Sequence, residues 1–296
     1  MYQSKATNLV AGDTNGKGDM FVYDSVTGLN ELVSKATDGT LGNDISYEGA
    51  ISADGRYVAF DSDATNLVPG YTGAGHIYVR DRQNNTTEIV DITNGGVEGN
   101  SWSYEPSISD DGRYVSFYSD ASNLVSGDTN AKPDIFVYDR QTDTIERVSL
   151  TYQGAQSNDE SYENSISADG RYVAFESAAT NLVTGDTNAK YDIFIRDRQA
   201  STTERVSVDS GGAQADNDSN NPSITSDGRY IVYKSDATNL VTGDTNGKKD
   251  IFLYDRNNHT TEQISVNSSE VEGDSTSNLG GNTNISDDGR FVSFFF

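Results

Sequence analysis

The tripeptide Asp-Gly-Arg followed by an aromatic residue begins at Asp54, Asp111, Asp169, Asp227 and Asp288, at spacings of 57, 58, 58 and 61 residues. A near-constant period of that length makes the chain a tandem array of one supersecondary unit. A unit of this size cannot bury its own faces, so it must be stacked on its neighbours.

The copy at residues 161–208, "SYENSISADGRYVAFESAATNLVTGDTNAKYDIFIRDRQASTTERVSV", shows what the unit is. It contains four short β-like runs: Ser-Ile-Ser, "RYVAFES", "DIFIRD" and "TTERVSV". In the second run Tyr172, Ala174 and Glu176 alternate with Val173 and Phe175, the period-two pattern of a strand with two unlike faces. The preceding "ADGR" predicts a tight hairpin, because Asp and Gly tolerate the positive φ of a two-residue turn. No long amphipathic helical window interrupts the pattern, so the expected fold is all-β: a five-bladed β-propeller with four antiparallel strands per blade. The chain starts just after a second strand and stops at the end of another. Pairing "NIS" and "RFVSFFF" with "DMFVYD" and "NELVSK" would complete one blade from both termini, a Velcro closure that removes open edges. On this reading residues 1–296 are a single domain of five repeats of about 58 residues.

The "SISxDGRYVAFxS" core followed by "DIFVYDR" resembles the WD40-like (PD40) repeat of the TolB-type propellers, which also occurs in propellers attached to serine peptidases. The resemblance runs over essentially the whole chain, with five units where TolB typically has six. It implies a propeller used as a scaffold for protein contacts or for gating a separate catalytic domain.

Forty-six Asp and Glu against 21 Lys and Arg give a net charge of −25, which repels phosphate backbones and excludes nucleic acid as a partner. Cations, basic proteins and neutral glycans stay open. The chain has no cysteine, so disulfides, thiolate metal sites and cysteine nucleophiles are ruled out. No apolar run of membrane-spanning length occurs, so no membrane insertion is expected. The richness in Gly, Asn, Asp, Ser, Thr and Tyr fits an exported bacterial protein, periplasmic or extracellular and monomeric, whose secretory signal is not in this chain.

The two histidines, His76 and His259, fall in different repeats and form no repeated imidazole site, so no catalytic residue is assigned. Three residues before the isoleucine of each first strand stand Glu48, Glu105, Glu163, Asn221 and Asn282, preceded by Tyr47, Tyr104 and Tyr162 in three repeats. First strands line the central channel of a propeller, so these side chains are candidates for a ligand ring at the channel mouth. They would either bond to neighbouring backbones or bind a glycan or cation. The Asp-Arg pairs at Asp139-Arg140, Asp197-Arg198 and Asp255-Arg256, with Glu146, Glu204 and Glu262, are expected to form cross-strand ion pairs.

A further motif, "GDTNGKGD" and its relatives, recurs four times. Asp13, Asn15 and Asp19 correspond to Asp128, Asn130 and Asp134, to Asp186, Asn188 and Asp192, and to Asp244, Asn246 and Asp250. It resembles the calcium loops of integrin-type propellers, with Lys17 where a third acidic ligand would stand. Up to four structural calcium ions are expected, the lysine contributing its carbonyl; the competing account is that Asp and Asn simply form side-chain-to-backbone turns. In the second copy Tyr71, Gly73 and His76 replace all three residues. The expected function is non-enzymatic: a binding or scaffold module, possible calcium included, with a protein or glycan partner. The alternatives are a glycan-active hydrolase or lyase using the channel-mouth carboxylates, and a lectin with equivalent pockets between blades.

Overall fold

The four-strand unit is present in the computed structural model, which describes residues 1–71, 73, 75–269, 271–279 and 285–295. Among the described residues there is no helix, and the strands form five antiparallel sheets. The fourth sheet gives the plan: Ser161–Ile166, Tyr172–Ser177, Asp192–Asp197 and Thr202–Arg205 lie side by side in chain order. Its two middle strands pair without a break from Tyr172↔Asp197 to Ser177↔Asp192. The expected contrast between two faces is not found there, since Val173, Ala174, Phe175 and Ile193 to Ile195 are all buried. Both faces of these inner strands are buried, as they are in sheets packed on either side.

The chain divides into two compact units, Met1–Ala131 with Phe136–Glu146, and Lys132–Ile135 with Arg147–Phe296. In the first, Met20, Val22 and Val33 pack on Val58, Phe60 and Tyr78 of the second sheet. The other face of that sheet, Ala59, Ile77 and Val79, packs on Val115, Phe117 and Phe136. In the second unit Ala174, Ile193 and Ile195 meet Ile231, Tyr233 and Phe252.

The Asp-Gly-Arg motif does its work at these stackings. Ser52 donates to Asp54 Oδ1 (2.7 Å) and accepts the Tyr57 N–H (2.9 Å), while Asp54 Oδ1 accepts the Arg56 N–H (2.9 Å). The Ser52 N–H reaches the Tyr57 carbonyl, so the connection has four residues rather than two, and only Gly55 takes a positive φ. The Arg56 guanidinium then grips Asp81 through two bonds of 3.0 and 2.7 Å. The glycine of the next repeat, Gly112, lies against the ring of Tyr57, where a Cβ would come within 2.1 Å of Cδ2. Gly228 sits on Tyr172 in the same way. Arg140 and Arg256 cover those same rings at 4.2 and 4.5 Å and continue to Glu88 and Glu204 of the preceding sheet. The ion pairs expected within a sheet therefore join successive sheets, because the neighbouring aspartate is already occupied by the Asp-Gly-Arg guanidinium.

The first sheet has three strands, Tyr2–Ser4, Asp19–Asp24 and Leu29–Leu32. Tyr2 pairs with Phe21 and stacks on it at 5.8 Å, as Phe175 does on Phe194 at 5.9 Å. Residues 2–4 thus occupy the position beside Asp19–Asp24 that the Velcro closure reserved for the C-terminal strand. Near the C-terminus Ile285 bridges Val292 and Asn278 bridges Phe295. Leu279 and Ile285 pack on Val232 and Ile251 of the fifth sheet. A blade shared by the two termini is not shown. No helix among the described residues is long and apolar enough to cross a membrane.

Candidate binding site

The first strands are not regular where the acid-or-amide position falls. The pairing register slips between Ser46 and Gly49, Tyr104 and Ser107, Tyr162 and Asn164, and Asn220 and Ser223. Glu105, Glu163 and Asn221 take φ values of 51°, 39° and 52°, the left-handed region that non-glycine residues adopt at a cost. Each bulge frees a backbone N–H and re-aims a side chain. The Glu48 N–H is taken by Asp61 Oδ1 of its own sheet (2.8 Å), and the Asn221 N–H by Glu176 Oε2 of the preceding sheet (3.0 Å). Asn282 lies outside the described residues.

Tyr47, Glu48, Tyr104 and Glu105 come together in the first unit. They line a cavity of about 350 Å³ together with Asp61, Asp63 and Trp102. Trp102, 45 % exposed, lies 5.9 Å from Tyr104, which stacks on Tyr118 at 5.0 Å, so three rings form a continuous row. Gly75 allows this approach, since a Cβ there would fall 2.8 Å from the indole. The Tyr47 hydroxyl donates to Asp63 Oδ2 (2.7 Å), and that bond pushes its pKa up to about 12. Burial raises Asp61 to about 7, with the charges of Glu48 and Asp63 adding to it. Burial, and then Asp120, Asp63 and Asp61, also raises Tyr104.

The equivalent residues of the second unit are committed to one another. Asn221 Nδ2 donates to Glu163 Oε2 (3.1 Å), Tyr162 pairs opposite Glu176, and burial raises Glu176 to about 7. Sequence reasoning missed Asp61, Asp63 and Trp102. The signal was present in the repeat alignment: the fifth residue of the second strand reads Asp61, Tyr118, Glu176 and Lys234 inside an otherwise uniform core, and Trp102 is the chain's only tryptophan.

In the loop motif the asparagines are turn formers. Asn15, Asn188 and Asn246 accept the N–H of Lys17, Lys190 and Lys248 (3.0, 3.1 and 2.6 Å), and their amides donate to the carbonyls of Gly42, Ala215 and Gly273. Lys17 and Lys132 reach Asp44 and Asp159 at 2.9 and 2.7 Å. The last aspartates, Asp19, Asp134, Asp192 and Asp250, are fully buried and each accepts a serine hydroxyl, from Ser34, Ser149, Ser207 and Ser265. In the second copy this pair is replaced by His76 and Asp91, joined Nδ1 to Oδ2 at 2.7 Å. Burial opposes a charge on His76, but Asp91 and Glu98 raise its pKa overall. Asp128 and Asn130 belong to the first unit and Asp134 to the second. Among the described residues no group of three or more His, Asp or Glu is arranged to hold a metal.

No protein-family model and no curated protein sequence matches the chain. Its structure is similar to TolB from Acinetobacter baumannii (17% identity, TM-score 0.51, covering 93% of this chain and 58% of that one). It is also similar to a protein assigned as TolB from Agrobacterium tumefaciens (16%, 0.51, covering 91% and 80%). A third similar structure is an oligogalacturonate lyase in complex with manganese (13%, 0.52, covering 84% and 59%). The chain therefore spans less than two thirds of the first TolB and of the lyase. At these identities the likeness is one of architecture, and the chain has a TolB-like β-propeller fold.

Proposed function

We propose that this chain is a binding module, a five-bladed propeller whose first-unit cavity holds a neutral glycan. The observation that carries the reading is the row Trp102–Tyr104–Tyr118 beside Glu48, Asp61 and Glu105. Aromatic faces stack on the C–H faces of a sugar ring, and carboxylates accept its hydroxyls. The four cavity carboxylates and the net charge of −25 disfavour a polyanion such as oligogalacturonate, the name carried by one structural neighbour. The TolB-like fold supports a scaffold role, and the composition supports a periplasmic or extracellular one.

Trp102 supplies the test, because any change in indole fluorescence comes from the cavity. Neutral oligosaccharides should shift or quench that emission saturably, and Trp102→Ala should abolish their binding by calorimetry with the melting temperature unchanged. If no neutral glycan changes the emission, the reading is wrong. A second reading, glycan cleavage, rests on Asp61 being raised to about 7 beside Glu48, a pairing suited to an acid and a base. Reducing sugar released by the native chain but not by Asp61→Asn would select it.

A further inference from the structure

One structural position carries a different answer in each repeat. The fourth residue of each last strand, or its equivalent, is Leu32, Ile89, Arg147, Arg205 and Gln263. In the fourth copy Arg205 Nη1 stands 3.3 Å from Asp186 Oδ1 and 3.4 Å from Asp192 Oδ2, a cation placed against both buried carboxylates. In the third, Arg147 Nη1 is 3.0 Å from Asp134 Oδ2. In the second the aspartates are absent and so is the arginine. The first and fifth copies keep both aspartates and lose the arginine.

The consequence is visible at the carboxylates. Asp13 is 7 % exposed and its Oδ1 has no hydrogen-bond partner; Asp19 is fully buried and its Oδ2 has none. Asp244 is 8 % exposed and neither of its oxygens has a partner. Asp250 Oδ2 takes only the Asn246 amide, at 3.0 Å. Lys35 lines the same cavity of about 380 Å³ as Asp13, but its ammonium is 3.9 Å from Glu31. Buried carboxylates are retained in proteins when a cation compensates them.

The geometry points to two divalent-cation sites, one at Asp13 and Asp19 and one at Asp244 and Asp250, with arginine taking the cation's place in the third and fourth copies. The donors are all hard oxygens, Asp13 and Asp244 on loops and Asp19 and Asp250 at the first positions of the strands Asp19–Asp24 and Asp250–Asp255, which selects calcium over softer metals and over the strict octahedron of magnesium. Loop carbonyls and water complete the shell, and the asparagines shape the turn without ligating. The fifth copy adds Glu272, whose Oε1 holds the Thr245 N–H at 2.7 Å, where the fourth has Gln214.

The test titrates calcium chloride into the chelator-treated full chain, with terbium luminescence as a second readout. Two equivalents should bind, with affinities of roughly 10⁻⁵–10⁻³ M. Gln263→Arg should remove one equivalent and make the calcium-free protein more heat-stable, whereas Arg205→Gln should create a third. Asp186→Asn should leave two. If Gln263→Arg fails to fold, Asp244→Asn should remove the same equivalent. Four equivalents, none at millimolar calcium, or two still bound by Gln263→Arg would each overturn the assignment. Glycan binding at Trp102 is a separate readout, so either proposal can fail without the other.

Discussion

Asp61 sits behind the bulge of its own sheet, with the Glu48 N–H on one oxygen, and burial holds its pKa at about 7 against 3.8 for a free aspartate. A carboxyl raised on folding binds a proton in the native chain that the unfolded chain has released, so its contribution to stability falls as pH rises from about 4 through 7. Asp61→Asn keeps the acceptor and removes the charge. Thermal melts should show the variant about 4 °C more stable at pH 8 and indistinguishable at pH 4; equal differences at both pH values would contradict the assignment. The residues at the cavity rim, Glu48 and Glu105, were legible in the sequence because counting back from a repeated isoleucine finds them. Asp61 was not, because strand alternation gives no hint that a bulge turns the first strand and hands a backbone N–H to the second. Trp102 was overlooked for a simpler reason: it lies five residues before the Ser-Ile-Ser run of its repeat and one residue before the observed strand Ser103–Ile108, in a loop that only the folded chain brings to the cavity.

At the scale of the element, the turn and the loop differ in how much room they leave. Gly112 has φ +71° and a tyrosine ring where its Cβ would go, whereas Gly127 has φ +82° and open space. Gly112→Ala should therefore cost about 2–4 kcal/mol, from backbone strain plus overpacking, and Gly127→Ala about 1–2 kcal/mol, from backbone strain alone. Urea denaturation measures both, and equal losses would show that Tyr57 yields freely to the added methyl. The Asp-Gly-Arg turn was readable as a hairpin, but its length was not. Ser52 bonds to both Asp54 and Tyr57, and that side-chain brace makes four residues close as firmly as two. The loop motif was readable as a choice between turn and metal. The structure separates its members, with asparagines closing turns and aspartates pointing inward, a division that depends on the residue opposite them on the last strand, about 20 residues away in sequence.

For the whole molecule, a net charge of −25 means that compact states repel themselves. Raising sodium chloride from 10 to about 300 mM shortens the screening length from roughly 30 Å to under 10 Å and should raise the melting temperature; a melting temperature that falls would show that the interrepeat ion pairs outweigh the repulsion. The all-β class, the repeat and the four-strand unit were all legible, because a period of 58 residues with turn signals admits few architectures. How the two ends are accommodated was not, since Tyr2–Ser4 is too short to announce itself as a strand and is identified by its pairing with Asp19–Phe21 and by Tyr2 stacking on Phe21. The seating of Gly112 on Tyr57, and of Gly228 on Tyr172, has a direction: in both, the later repeat covers the earlier one. On the ribosome Tyr57 is therefore made 55 residues before its cover. At about 5–20 residues per second, each newly finished sheet waits roughly 3–11 s with one aromatic face bare, and slow codons placed inside a repeat should lengthen that exposure more harmfully than slow codons placed after the final turn.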